Sequence, residues 1–273
     1  MTDSLPSSVP HRESTPNAAA AERGRYVYCI VESEEPLDLG PVGIGTDESP
    51  VYTVHHDNLA AVVSDTPLCL YTPTRENLLA HEIVNERVIR DRTAIPMSFG
   101  TILREEADVV AFLQGAAPTL SEALAALRGK VELGLNVVWD REKVVAELEA
   151  DDEAVQGLKD EIANERNGST YFSRVQLGKL VEGALEERAN QLMWSVYEPL
   201  RPLSVASRMG KLVGDNMILN MAFLVERAQE EEFDQAVKRL TTRYETILSF
   251  KYTGPWPPYS FVKIRVKLER AAS

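Results

Sequence analysis

The sequence predicts an α+β protein built as two domains, and three observations carry that prediction. Runs rich in β-branched and aromatic residues alternate with stretches whose apolar side chains recur at helical spacing. A chain of 273 residues, 44% hydrophobic and 26% charged, has the balance of a globular protein and exceeds the usual length of one domain. In its second half the elements follow one another as strand, helix, strand, strand, helix, strand.

Residues 1–24, MTDSLPSSVPHRESTPNAAAAERG, are rich in Ser, Pro and Ala and almost lack large apolar side chains, so a disordered tail is expected there. Order is expected from RYVYCIV at residue 25, a buried strand, and an N-terminal α+β domain then fills 25–128. EEPLDLGPVGIGTDESP is loop chemistry, and VYTVHHDNLAAVVSD supplies strands around a turn near Asp57 and Asn58. Thr74 is placed to cap a helix whose apolar positions are Leu78, Leu79, Ile83, Val84 and Val88 and which ends near Asp91. Pro96 cannot continue it, so IPMSFGTIL reads as a strand with a turn at Gly100. A second helix, from about Glu105 to Leu127, is expected to be interrupted near Gly115 and Pro118.

The C-terminal domain is expected over 129–268. KVELGLNVVW alternates as a strand through Val131, Leu133, Leu135 and Val137. Residues 141–166 carry a thin stripe of Val144, Leu148, Val155, Leu158 and Ile162, as one solvated helix would. Asn167 and Gly168 supply a break, and a longer helix follows up to Pro199, giving an antiparallel helical pair over 141–198. LSVASRM, NMILNMAFLVER, EEEFDQAVKRLTTRYE and TILSFKYTG then complete a βαββαβ order. This is the ferredoxin-like arrangement, modified by the added helical pair.

The net charge of −13 argues against nucleic acid and anionic lipid surfaces as partners. No apolar run of about 18 residues and no signal-peptide pattern is read, so a cytoplasmic protein without a bilayer partner is expected. Cys29 and Cys69 each sit among aliphatic residues without CxxC spacing and are expected to be buried free thiols. HEIVNE, residues 81–86, lacks the second histidine of the zinc-protease pattern because Asn85 stands in its place. His81 and Glu82 are therefore expected to cap, pair or pack on the helix surface. His55 and His56, consecutive on a strand, point to opposite faces, and GPVGIG lacks the lysine and hydroxyl of a phosphate loop. No catalytic residue, metal site or cofactor is expected.

TGPWPPYSFV is different. Pro255, Pro257 and Pro258 remove backbone donors and fix φ, which forbids a central strand and favours a stiff extended corner. Trp256, Tyr259 and Phe261 then either pack on the elements beneath or anchor a contact patch. Pro96, Phe99 and Gly100 form a second rigid corner with an aromatic. Together with Pro257 these are the candidate protein-interface residues.

Taken together, RYVYCIV, LAAVVSD, HEIVNERV, AIPMSFGTIL, GKVELGLNVVWD and YTGPWPPYSFV resemble the gas vesicle protein F/L family (GvpF/GvpL), in the family's order and over about residues 25–265. Ser98 departs from that pattern, standing where many members carry a basic residue. The resemblance implies an accessory protein of gas vesicle formation that binds the small hydrophobic shell protein, acts with other gas vesicle accessory proteins, and has no enzymatic activity or cofactor. A minor structural component of the vesicle wall and a small-molecule sensor of ferredoxin-like fold stay open as alternatives. Shell subunits expose strand edges and apolar faces before assembly, and a binder could cover them along an open sheet edge or in a groove between domains.

Overall fold

The computed structural model describes residues 22–45, 49–151, 153–164 and 170–262. The tail expected at 1–24 lies outside the described residues up to position 21, and the chain is already strand at Arg23. The break expected at Asn167 and Gly168 also lies outside them.

The first half contains β1 (Arg23–Glu32), β2 (Asp38–Gly40), β3 (Val51–His56), β4 (Leu59–Pro67), α1 (Arg75–Asp91), β5 (Ala94–Pro96), β6 (Ile102–Leu103) and α2 (Glu106–Leu127). Its antiparallel sheet runs β2-β3-β4-β1-β5, with β6 also on β1. The β3–β4 hairpin turns at Asp57, whose φ of 52° an Asp tolerates. Thr74 caps α1 by accepting the Asn77 N–H at 3.3 Å.

After Arg25, the run YVYCIV carries no charge because helices cover both faces of this sheet. Val27 and Ile30 pack with Val54, Val63 and the Val109, Leu113 and Leu120 side of α2. Tyr26, Tyr28, Cys29 and Val31 pack with Val84, Val88 and Ile89 of α1. Strict alternation would place Cys29 with Val27, but the register slips between those residues, and the bulge keeps Cys29 on the α1 side. Burial there pushes its thiol pKa far up. Cys69, expected to be buried, is exposed beyond the end of β4.

α2 runs unbroken through Gly115 and Pro118, against the expected interruption, with seven residues from Val109 to Leu127 buried along one side. Tertiary packing overrides the local cost of proline. Contrary to the sequence expectation, α2 is also long and apolar enough to cross a membrane by length and composition. In this fold its apolar side faces the first sheet.

The second half contains β7 (Lys130–Trp139), α3 (Arg141–Asp151), α4 (Glu153–Asn164), α5 (Thr170–Leu200), β8 (Ala206–Met209), β9 (Met217–Glu226), α6 (Glu230–Tyr244) and β10 (Leu248–Trp256). The stretch 141–166, expected to be one solvated helix, is helical in its described parts, α3 and α4, which lie either side of position 152. The second sheet is antiparallel in the order β10-β7-β9-β8. Leu133, Leu135, Phe223 and Val225 meet Leu192 and Val196 of α5 and Phe233 and Val237 of α6 on one face. From the other face, Leu224 joins the α2 core of the first half.

Prolines do not end β10 where expected. It continues through a cis Gly254–Pro255 peptide to Trp256, which pairs with Glu132 after a register shift. The strand lies at the sheet edge, where a missing N–H interrupts no ladder on the solvent side.

Candidate functional site

Beyond β10 the chain folds back over the second sheet, and Pro257 and Pro258 are buried beneath the turn. The Ser260 N–H and hydroxyl both donate to the Glu132 carboxylate, each at 2.7 Å. Tyr259 is thereby aimed at α1. Its hydroxyl donates to Glu82 Oε1 at 3.0 Å and accepts from Asn85 Nδ2 at 3.0 Å.

Asn85 Nδ2 also lies 3.0 Å from His81 Nε2 and 3.2 Å from the His81 carbonyl. His81 Nδ1 is 3.0 Å from the Tyr26 hydroxyl, which accepts the Gly100 N–H at 2.9 Å. Phe99 sets its ring edge to His81 with centroids 5.9 Å apart. Tyr28, tilted on His81 at 5.8 Å, bonds Ser64 Oγ at 2.8 Å. All six segments on which the family resemblance rests thus contribute to one continuous network.

Burial governs its electrostatics. His81 is 2% exposed, and desolvation lowers its pKa to about 4, with the Met97 backbone opposing in part. Burial raises Tyr26 to about 12. Glu82 and Glu132 are also raised by burial, each held back by its hydrogen bonds to the corner. Tyr259 is raised further, by burial first and then by the charge of Glu82. Among the described residues, Asn85 Oδ1 and Glu82 Oε2 have no hydrogen-bond partner. Both ring nitrogens of His81 are engaged within the protein, so the arrangement works as a polar latch between α1 and the second sheet. Of the roles expected for His81 and Glu82, to cap, pair or pack on the helix surface, the hydrogen bonds show pairing, with His81 buried and not at the surface.

The structure separates the seven predicted site residues. Pro96 is buried and pairs with Cys29. Phe99 and Tyr259 are half-buried in the latch, and Gly100, at φ +81°, is exposed but donates inward. Pro257 is buried, and Phe261 packs into the α2 core with the Arg208 guanidinium 5.7 Å above its ring. Trp256, 36% exposed, is the large apolar side chain of the set that faces solvent. It borders a cleft of about 230 Å³ with Pro255, Glu86, Ile89, Arg90 and Arg227. Arg227 reaches across from β9's end to donate to the Ile89 carbonyl.

Sequence reasoning missed an exposed apolar face on α1, the helix that lines this cleft further along with Glu86, Ile89 and Arg90. Leu78, Leu79 and Ile83 were expected among the packed positions of α1, yet they are exposed, Leu79 by 50%. The buried face is His81, Val84, Asn85, Val88 and Ile89. That set also recurs at i, i+3, i+4 and i+7, and this spacing was the signal available.

Replacing Tyr259 with Phe keeps the ring and removes the hydroxyl that joins Glu82 to Asn85. The expected cost is about 1–3 kcal/mol, because two buried polar groups lose a partner. A urea midpoint unchanged from wild type would show that the latch contributes nothing to stability.

The family described as "Gas vesicle synthesis protein GvpL/GvpF" matches residues 24–263. Gas vesicle protein F of a Streptomyces species is 33% identical over 239 residues, spanning 87% of this chain and 99% of its own length. Gas vesicle protein F1 of Halobacterium salinarum is 29% identical over 248 residues, 90% of this chain and 95% of its own. The crystal structure of GvpF from Anabaena superposes with a TM-score of 0.78 at 24% identity, covering 89% of this chain and 99% of that one. The last likeness speaks to the fold, a mixed α+β architecture with two sheets. With a match over nearly all of its described length, the chain belongs to the GvpL/GvpF family of gas vesicle proteins.

Proposed function

We propose that this protein is an accessory factor of gas vesicle formation that binds the small hydrophobic shell protein and assists its assembly, in the cytoplasm and at the growing vesicle. Membership of the family supports the vesicle role. The observation that carries the binding role is the exposure of the apolar side chains Leu78, Leu79 and Ile83 on α1, the helix whose later residues Glu86, Ile89 and Arg90 line the Trp256 cleft and whose inner face is held by the latch. Rigid aromatics beside aliphatic side chains suit capture of an apolar segment. The reading includes a domain division at about residue 128, with the second unit a modified ferredoxin-like domain. It assigns no catalytic step.

A pull-down with tagged protein from cells co-expressing the cognate shell subunit tests this. Wild type is expected to retain the subunit. Trp256→Ala and the double variant Leu79→Ser/Ile83→Ser are expected to retain at least ~10-fold less, the scale of losing an interface anchor, with unchanged circular dichroism. Tyr259→Ala is a poor surface probe because its hydroxyl points into the latch. Equal retention by the folded variants would remove the α1 stripe as the site. No retention by wild type, with the subunit soluble, would remove shell-protein binding itself.

A further inference from the structure

A second apolar surface lies on the far half of the molecule, between α5 and the connection from β8 to β9. It is a groove of about 550 Å³ whose lining includes Trp139, Leu185, Met193, Met209, Leu212 and Met217. Three of the chain's six methionines stand in it. Met209 is 63% exposed and the adjoining Val213 69%, so apolar surface is presented to solvent, not sealed in the core.

The charges around it have one dominant sign. Glu182, Glu186 and Asp215 line the groove, and the one cation that lines it among the described residues, Arg141, is held by Glu182 at 2.9 Å. A neighbouring hollow shares Trp139 and Arg141 and adds Glu142 and Asp140, the latter paired with Lys143 at 2.9 Å. The indole Nε1–H of Trp139 is buried and meets no acceptor among the described residues.

From this arrangement we propose that the groove docks a basic amphipathic helix of a partner protein. Methionine is unbranched and polarizable, so a Met-lined groove remodels around varied aliphatic side chains spaced along one helix face. The acidic lining selects cations on the flanks of that helix. A second copy of this chain fits poorly, since each carries a net charge of −13 and the approaching surfaces would repel. An extended strand added to β8 is the competing geometry, because β8 is an edge strand of its sheet. The inference is independent of the shell-protein reading, as none of these residues belongs to α1 or to the corner.

Three labelled peptides decide it, read by fluorescence anisotropy against the full chain. Two contain leucine and lysine in the same proportions, one in a seven-residue helical repeat and one in strict alternation. The third is the helical repeat with glutamate in place of lysine. The basic helical peptide is expected to bind with Kd on the order of 1–10 μM and to weaken as salt is raised. Met209→Ser/Leu212→Ser and Glu186→Lys, checked by circular dichroism, are each expected to weaken it at least ~10-fold, while Trp256→Ala leaves it unchanged. Equal or tighter binding of the alternating peptide would overturn the helix assignment in favour of the β8 edge. The proposal also fails if the acidic peptide binds as well, if the folded groove variants bind like wild type, if Trp256→Ala abolishes binding, or if the basic helix does not bind at about 100 μM.

Discussion

Between pH 6.5 and 4, wild-type protein is expected to lose about 3 kcal/mol of stability that a His81→Gln variant does not lose. His81 titrates near 6.5 in an unfolded chain and near 4 in the fold, where burial among Tyr26, Tyr28, Phe99 and Asn85 penalises the cation. In that window the unfolded chain binds the proton and the native state refuses it. The stabilising contribution is thus complete above pH 6.5 and is withdrawn as pH falls toward 4. Glu82 and Glu132 act in the opposite sense, because burial raises their folded pKa values and favours the native state under acid. The test is therefore the difference between wild type and variant, from urea unfolding at pH 7.5 and 4.5. Glutamine carries its own fixed cost at both pH values, which the difference removes. Parallel profiles would mean that His81 is hydrated or protonated in the native protein.

Phe223→Ala is expected to cost about 3–5 kcal/mol, the range for emptying a buried aromatic site. Phe223 is fully buried in β9 and stands in a row of rings, stacked on Tyr197 of α5 at 6.2 Å and tilted against Phe233 of α6 at 5.1 Å. Phe233 in turn stacks on Tyr252 of β10 at 6.2 Å. Alanine would leave a cavity where two helices meet the sheet, and neither helix can collapse into it without leaving its remaining contacts. Phe223→Leu, which keeps most of the volume, should cost under about 1.5 kcal/mol. Denaturation midpoints measure both. A loss below about 1 kcal/mol for the alanine variant would mean that the second sheet and its helices are not packed as described.

Much of the architecture was legible because its elements carry strong local patterns. β7 alternates, α6 opens with three glutamates and carries a clear apolar stripe, and Thr74 sits where a cap belongs. The failures share one physical origin, namely that a distant partner reversed the local preference. Pro118 sits inside α2 because the first sheet needs that helix's apolar side unbroken. The bulge after Val27 leaves no trace in YVYCIV, since every residue there is apolar enough for either face. On α1 the spacing allowed two buried faces. Hydropathy favoured Leu78, Leu79 and Ile83, whereas the fold chose His81 and Asn85, whose polar atoms are matched by Tyr26 and Tyr259. Those partners lie 55 and 174 residues away along the chain, beyond the reach of any local window. Of the candidate site, the corner was visible in its prolines and aromatics, but which of its rings faces solvent was not.

That last separation also sets an order of events on the ribosome. The strands and both helices of the first sheet are complete by Leu127, yet Tyr259, which closes the polar face of α1, is added 174 residues after Asn85. At synthesis rates of about 5–20 residues per second, this leaves roughly 9–35 seconds during which the Glu82 carboxylate is satisfied by water and the Asn85 amide by His81 and water alone. A chain that stops short of the corner carries an almost finished first half with its inner polar face uncovered, so a single turn after β10 distinguishes chains that include the corner from those that do not.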